Sequence, residues 1–181
     1  STGMTLTSGQ SGYDGSNNAW LIDSTAGYVF QGLSVGGVQT FSVYAKKGTA
    51  DGIRMRIDAI ADANAYINLT DGSEAIPYAG VNLNVQSVGD GWYRISLTIN
   101  DSAIANVRFY AIDNAGGSTT GTIYIQDAQL NYGLVAQEYQ ETTTTSVITG
   151  ITNDMPRLDY SGGASCPSLL LEPSRQNLFT N

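Results

Sequence analysis

Residues 53–70 read IRMRIDAIADANAYINLT, and two alternations meet in them. Ile53, Met55, Ile57 and Ala59 fall on one side and Arg54, Arg56 and Asp58 on the other. From Asn64 to Thr70, Ala65, Ile67 and Leu69 oppose Tyr66 and Asn68. A repeat of two is the period of a strand, whose successive side chains point to opposite faces. The intervening AIADANA (Ala59–Ala65) has helical composition but is too short to hold a helix, so it reads as a hairpin turn.

The same pattern extends in both directions. It predicts strands over Asn18–Asp23, Tyr28–Gln31, Val38–Lys46, Ile53–Ile60, Asn64–Thr70, Leu83–Val88, Trp92–Ile99, Ala105–Ile112 and Thr122–Leu130, with a shorter one at Met4–Thr7. Turn signals such as Asp71-Gly72, Gly89-Asp90-Gly91 and Asn114-Ala115-Gly116-Gly117 separate them. Strands this short and this closely spaced suit an antiparallel β-sandwich or barrel, not βαβ units. Composition agrees: 13% of the residues are charged, and 21 Gly and 11 Tyr accompany many Thr, Ser and Asn.

Charge and residue absences exclude whole function classes. A net charge of -8 with eight Lys and Arg argues against nucleic acid, which needs a basic patch. No His is present, which removes Ser-His-Asp and Cys-His catalysis and the usual zinc sites. The lone Cys166 pairs with nothing internally and has no activating cation beside it in Ala-Ser-Cys-Pro-Ser. No apolar run approaches the ~20 residues of a membrane span, so no membrane insertion is expected. The four Glu, at positions 74, 138, 141 and 172, fall in predicted turns or in the polar tail, where no paired-carboxylate cleft is evident, so the reading is non-catalytic.

The organisation expected is one all-β domain over residues 1–140 and an extended tail over 141–181. The tail opens with the polar run Thr142–Thr145 and is punctuated by Pro156, Pro167 and Pro173.

Writing out the strand faces isolates a candidate site. Phe41, Val43 and Ala45, then Val107, Phe109 and Ala111, then Ile123 and Ile125 join the aliphatic sides above as core. The opposite sides carry Tyr44, then Arg54, Arg56 and Asp58, then Tyr66 and Asn68, then Arg108 and Tyr110, then Tyr124 and Gln126. Aromatic rings that stack on a pyranose, beside planar groups that bond vicinal hydroxyls, are what a sugar platform needs. Two plainer readings stay open: a solvated amphipathic face, or a protein-contact surface. Trp20, alternating with Ile22, is expected in the core, and Trp92 near a turn and partly exposed.

Among metals only calcium suits this oxygen-rich, His-free chain. The loop Asp14-Gly15-Ser16-Asn17 offers Asp14 and Asn17, and alternation places Asp127 on the core side of its strand, where an unpaired charge needs a partner. A bulge turning Asp127 to solvent, or an Arg partner, would serve equally.

Several phrases, in order, carry a resemblance: GYDGSNNAWLID (Gly12–Asp23), TFSVYAKKG (Thr40–Gly48), GDGWYRISLT (Gly89–Thr98), GTIYIQDAQLNYG (Gly121–Gly133) and PRLDYSGGASCPSLLLEPSRQNL (Pro156–Leu178). Together they resemble the jelly-roll, carbohydrate-binding, concanavalin A-like modules of phage tail fibres and other virion structural proteins. The chain departs from that pattern at Gln126-Asp127, which is closer to bacterial jelly-roll carbohydrate-binding modules. The resemblance implies a two-sheet jelly roll on a virion or outside the cell, binding neutral or acidic polysaccharide or a host-surface glycan and contacting neighbouring modules of the same polypeptide. It also implies a structural calcium between the opening loop and Asp127, and that Leu169–Leu178 introduces a following module while this module's own leading segment precedes Ser1. The alternative is a purely structural virion or adhesin spacer held by protein contacts.

Overall fold

The computed structural model describes residues 3–61, 63–77, 82–113, 119–142, 157–159 and 168–170. It contains no helix among these residues. Nine strands form one antiparallel sheet: β1 (Met4–Gln10), β2 (Ala19–Ser24), β3 (Val29–Lys47), β4 (Gly52–Ala59), β5 (Ala63–Asn68), β6 (Glu74–Pro77), β7 (Asn82–Gly89), β8 (Trp92–Ile112) and β9 (Gly121–Tyr132). Their order is β1-β2-β9-β3-β8-β4-β5-β6, with β7 also paired to β8.

The 19-residue β3 and the 21-residue β8 shape this sheet. The first part of β3 pairs with the last part of β8 (Val29 with Phe109, Val35 with Ile104), and its second part with the first part of β8 (Val38 with Asn100, Lys46 with Trp92). One flank is therefore β1-β2-β9-β3-β8-β7 and the other β3-β8-β4-β5-β6. Between them the register slips at Gly32/Val35 and Val35/Gly37, where the chain bends. Gly36 is required at the bend, because a Cβ there would lie 2.4 Å from the Ser102 carbonyl oxygen. The sequence punctuation at Gly36-Gly37 and Asp101-Ser102 is that of loops, which is why each long strand reads as two short ones. These breaks are ladder bulges, and hydrogen bonding resumes beyond them.

Curling brings the apolar sides of the two flanks together. Phe41 of one flank meets Phe109 of the other with ring centroids 4.7 Å apart. Val43, Ala45, Ile95, Leu97 and Ile123 share a single buried cluster with Ile53, Met55, Ile57, Ala65, Ile67 and Val107. The core expected from alternation is thus the observed one, with Ala59 and Ile125 packed at its margin. At roughly 1.5–3 kcal/mol for each large buried aliphatic side chain, this cluster outweighs any surface contact.

Three local expectations are corrected. Trp20 is 45% exposed although Ile22 on the same strand is fully buried, because Trp20 lies opposite Ile125, where the core tapers. Trp92 is buried at 2%, covered by Tyr13, whose ring meets it edge-on. Asp127 leaves the alternation at a bulge in β9: Gln126 pairs with Tyr44 and Gln129 with Ser42, and Asp127 takes φ +53°.

Residues 140–181 form a separate compact unit. In it β10 (Arg157–Asp159) pairs antiparallel with β11 (Ser168–Leu170), so that part of the tail is a paired ribbon and not simply extended chain. Cys166, Thr143–Thr145, Pro156, Pro167, Pro173 and Leu171–Leu178 lie outside the described residues.

Candidate functional site

The predicted site residues divide between the outer faces of the two flanks. Arg54, Arg56, Asp58, Tyr66, Asn68, Arg108 and Tyr110 belong to β4, β5 and the last part of β8. Tyr44, Tyr124 and Gln126 belong to β3 and β9 in the other flank. The expected single platform is therefore two surfaces, because β3 and β8 carry the sheet around the core.

On the face formed by β5, β4, β8 and the start of β3, register sets the side chains in a row. Arg54 is directly opposite Tyr66 on one side and Tyr110 on the other. Its guanidinium carbon lies 5.2 Å from the Tyr66 centroid and 4.8 Å from that of Tyr110. Its Nε and Nη2 both donate to Asn64 Oδ1, at 2.9 and 2.6 Å. Tyr110 in turn meets Tyr28 at 5.1 Å, and Tyr28 meets Phe30 at 6.0 Å. Phe30, 54% exposed, ends the row.

Beside it runs a second line of polar groups. Asp58 accepts from Arg56 Nε at 2.5 Å and pairs through its other oxygen with Arg108 Nη2. Arg108 also donates from Nε to Asn106 Oδ1 at 3.0 Å and lies over the Tyr28 ring. Burial pulls the Arg108 pKa down, and Tyr110 and Asp58 more than offset it, leaving it above its ordinary value. Asn68 is drawn away from the row, because its Oδ1 accepts from the Thr70 amide and closes the turn after β5.

These contacts decide what the face presents. With Arg54 over both tyrosine rings and Tyr110 buried at 8%, Tyr110 offers no free ring face. Tyr66, Tyr28 and the three guanidinium-bearing residues Arg54, Arg56 and Arg108 are half-buried, and Phe30 is exposed. Tyr28, Phe30, Asn64 and Asn106 were not foreseen as part of the site. Alternation about Val29 contains the signal for the first two, but the order of strands is needed to place them beside Arg108.

The other outer face is closed by local chain. Tyr13 stacks on Tyr44 with centroids 3.6 Å apart and planes 8° from parallel. The loop holding it is fixed by Gln126: the Tyr13 amide donates to Gln126 Oε1 at 3.2 Å, and Gln126 Nε2 donates to Ser16 Oγ at 3.4 Å. Gly12 leaves room for this contact, since a Cβ there would fall 2.0 Å from Gln126 Oε1 and displace the amide. Tyr124 is half-buried opposite Lys46. Residues 133–138 fold back over the same face, with Thr40 donating to the Gly133 carbonyl at 2.7 Å and Arg94 Nη2 to the Gln137 carbonyl at 2.5 Å. A groove of about 470 Å³ remains between this strap and β7, lined by Asn82, Asn84, Gln86, Arg94, Ser96 and Thr98.

The calcium candidates lie at this end. Tyr13 donates its hydroxyl to Asp127 Oδ2 at 3.0 Å, and Asp14 Oδ1 accepts from the Ser16 amide at 2.9 Å. Burial raises the Asp127 carboxyl above its ordinary value; the Tyr13 bond and Arg94 act against this and the Asp14 charge adds to it. Burial, with the bonds to Tyr44 and Asp127, raises the Tyr13 phenol as well. Asn17 is exposed. The described residues add no third acidic, His or Cys side chain to this pair, so a cation needing six to eight oxygens would draw the rest from backbone, amides and water.

Compared with protein-family models and with curated proteins, the chain matches none. Among the described residues no helix is long and apolar enough to cross a membrane.

Proposed function

We propose that this chain is a non-catalytic carbohydrate-binding module that holds polysaccharide or a host-surface glycan on the face of β5, β4, β8 and the start of β3. The observation that carries this reading is the continuous row Tyr66, Arg54, Tyr110, Tyr28 and Phe30, flanked by Arg108, Asp58 and Asn106 and locked in place by its own contacts. Rigid aromatic and guanidinium groups at a surface lose little freedom when a sugar chain is laid across them. We read the curled sheet as a jelly-roll sandwich, because β3 and β8 each serve two flanks around one core. A virion or extracellular setting, with neighbouring modules as partners, rests on the sequence phrases alone.

A glycan array tests this. Binding that falls by about tenfold or more in Phe30→Ala combined with Tyr66→Ala supports the face; binding that survives both changes moves the site elsewhere. A structural spacer is the second reading, favoured by the exposure of Trp20, Phe30 and Tyr132. It predicts no glycan signal and self-association in sedimentation. A structural calcium at Asp14 and Asp127 belongs to the same proposal: calcium should raise the melting temperature of the wild type and leave Asp127→Asn unmoved.

A further inference from the structure

We propose that the glycan taken by this face is acidic, with a carboxylate of the ligand bound by Arg54; the inference rests on the glycan reading above and narrows it to one class. Three of the cations among the described residues, Arg54, Arg56 and Arg108, stand on two adjacent strands of one face. Arg56 and Arg108 share Asp58. Arg54 forms no ion pair with any described residue, and its bonds run to the neutral amide of Asn64.

The geometry of those bonds matters. A guanidinium has five N–H groups, and Asn64 occupies the side edge made by Nε and one N–H of Nη2. The end edge, formed by Nη1 and the second N–H of Nη2, keeps two parallel donors. Two parallel donors match the two oxygens of a carboxylate, whereas a neutral hydroxyl engages one of them. The rings of Tyr66 and Tyr110 on either side hold the fork upright, so its direction is set before a ligand arrives.

The ring contacts point the same way. The Tyr110 ring is covered and that of Tyr66 faces Arg54, so the centre of the face offers N–H and phenol donors in place of broad apolar planes. A donor surface is best satisfied by an acceptor-rich ligand, and charge-assisted bonds are roughly twice as strong as neutral ones. The chain carries a net charge of -8, so its surface as a whole repels polyanions. An acidic glycan would then engage where the cations are concentrated and in one orientation.

The experiment compares polygalacturonate, alginate and hyaluronate with their carboxyl-reduced forms, which keep the same backbone and linkages, in affinity electrophoresis with the full chain. Dextran sulfate serves as a carboxylate-free polyanion and a neutral glycan array as background. The expected result is binding to at least one uronate that weakens about tenfold or more on carboxyl reduction. Arg54→Gln should abolish that difference, and Arg54→Lys, which keeps the charge without the fork, should lose most of it while preserving the fold by circular dichroism. Equal binding of acidic and reduced forms, or binding of neutral glycans alone, overturns the acidic assignment and leaves the glycan reading standing. Preference for dextran sulfate over every uronate overturns the carboxylate. Failure to bind any glycan overturns both.

Discussion

Replacing Asp58 by Asn should cost the fold about 2–3 kcal/mol, and the number follows from its surroundings. Asp58 is about one-tenth exposed and bridges two guanidinium groups, with one oxygen on Arg56 and the other on Arg108. At an effective dielectric near 20, each attraction at about 4 Å is worth about 4 kcal/mol before the cost of desolvating the carboxylate. Removing one partner of a fully buried pair costs roughly 3–5 kcal/mol. The Arg56 and Arg108 side chains keep 26% and 22% of their exposure, which places this case below that range. Arg56 and Arg108 are also direct cross-strand partners, so the variant leaves like charges opposed. Asn keeps the volume and one acceptor, so the loss reports the charge. Urea denaturation gives the free energy, and a thermal melt should shift by about 10 °C for a unit of this size. Raising sodium chloride from about 20 to about 500 mM screens both the lost attraction and the new repulsion, so the gap between wild type and variant should narrow. A loss under about 0.5 kcal/mol, the scale of an ordinary surface change, or a loss indifferent to salt, would refute this account of the face.

Two further predictions probe the rest of the molecule. Gly36→Ala should destabilise by about 2 kcal/mol or more, since its Cβ would press on the Ser102 backbone at 2.4 Å and backbone cannot swing aside; an unchanged urea midpoint would show that β3 and β8 do not bend together there. Asp127 is raised chiefly by burial, so the folded state favours its protonated form: its contribution to stability is full below the unfolded carboxyl value and is lost as pH rises through the folded one. In a chelator, Asp127→Asn, which keeps an acceptor for Tyr13 and tolerates the left-handed backbone, should match or exceed wild-type stability at pH 7, with the difference closing on acidification; a variant weaker at both pH values would contradict this.

The sequence alone determined which side of the central strands joins the apolar core. Ile53, Met55 and Ile57 against Arg54, Arg56 and Asp58 is a statement about backbone geometry, and a period of two holds wherever the chain is extended, regardless of neighbours. It also contained the polar character of the outer faces and the turn after β7, where Asp90 and Gly91 take positive φ. What it left undetermined is which outer faces adjoin. Tyr66, Arg54, Tyr110 and Tyr28 meet through pairings between segments far apart in the chain, and strand order is fixed by how the whole apolar surface is best covered. Alternation cannot see a bulge either: one extra residue at Asp127 reverses parity, turning an expected core charge into a partner for Tyr13. The separation of Tyr44, Tyr124 and Gln126 from the arginine face has the same origin, since the bend at Gly36 and Ser102 carries β3 and β8 around the core and gives one sheet two outer surfaces.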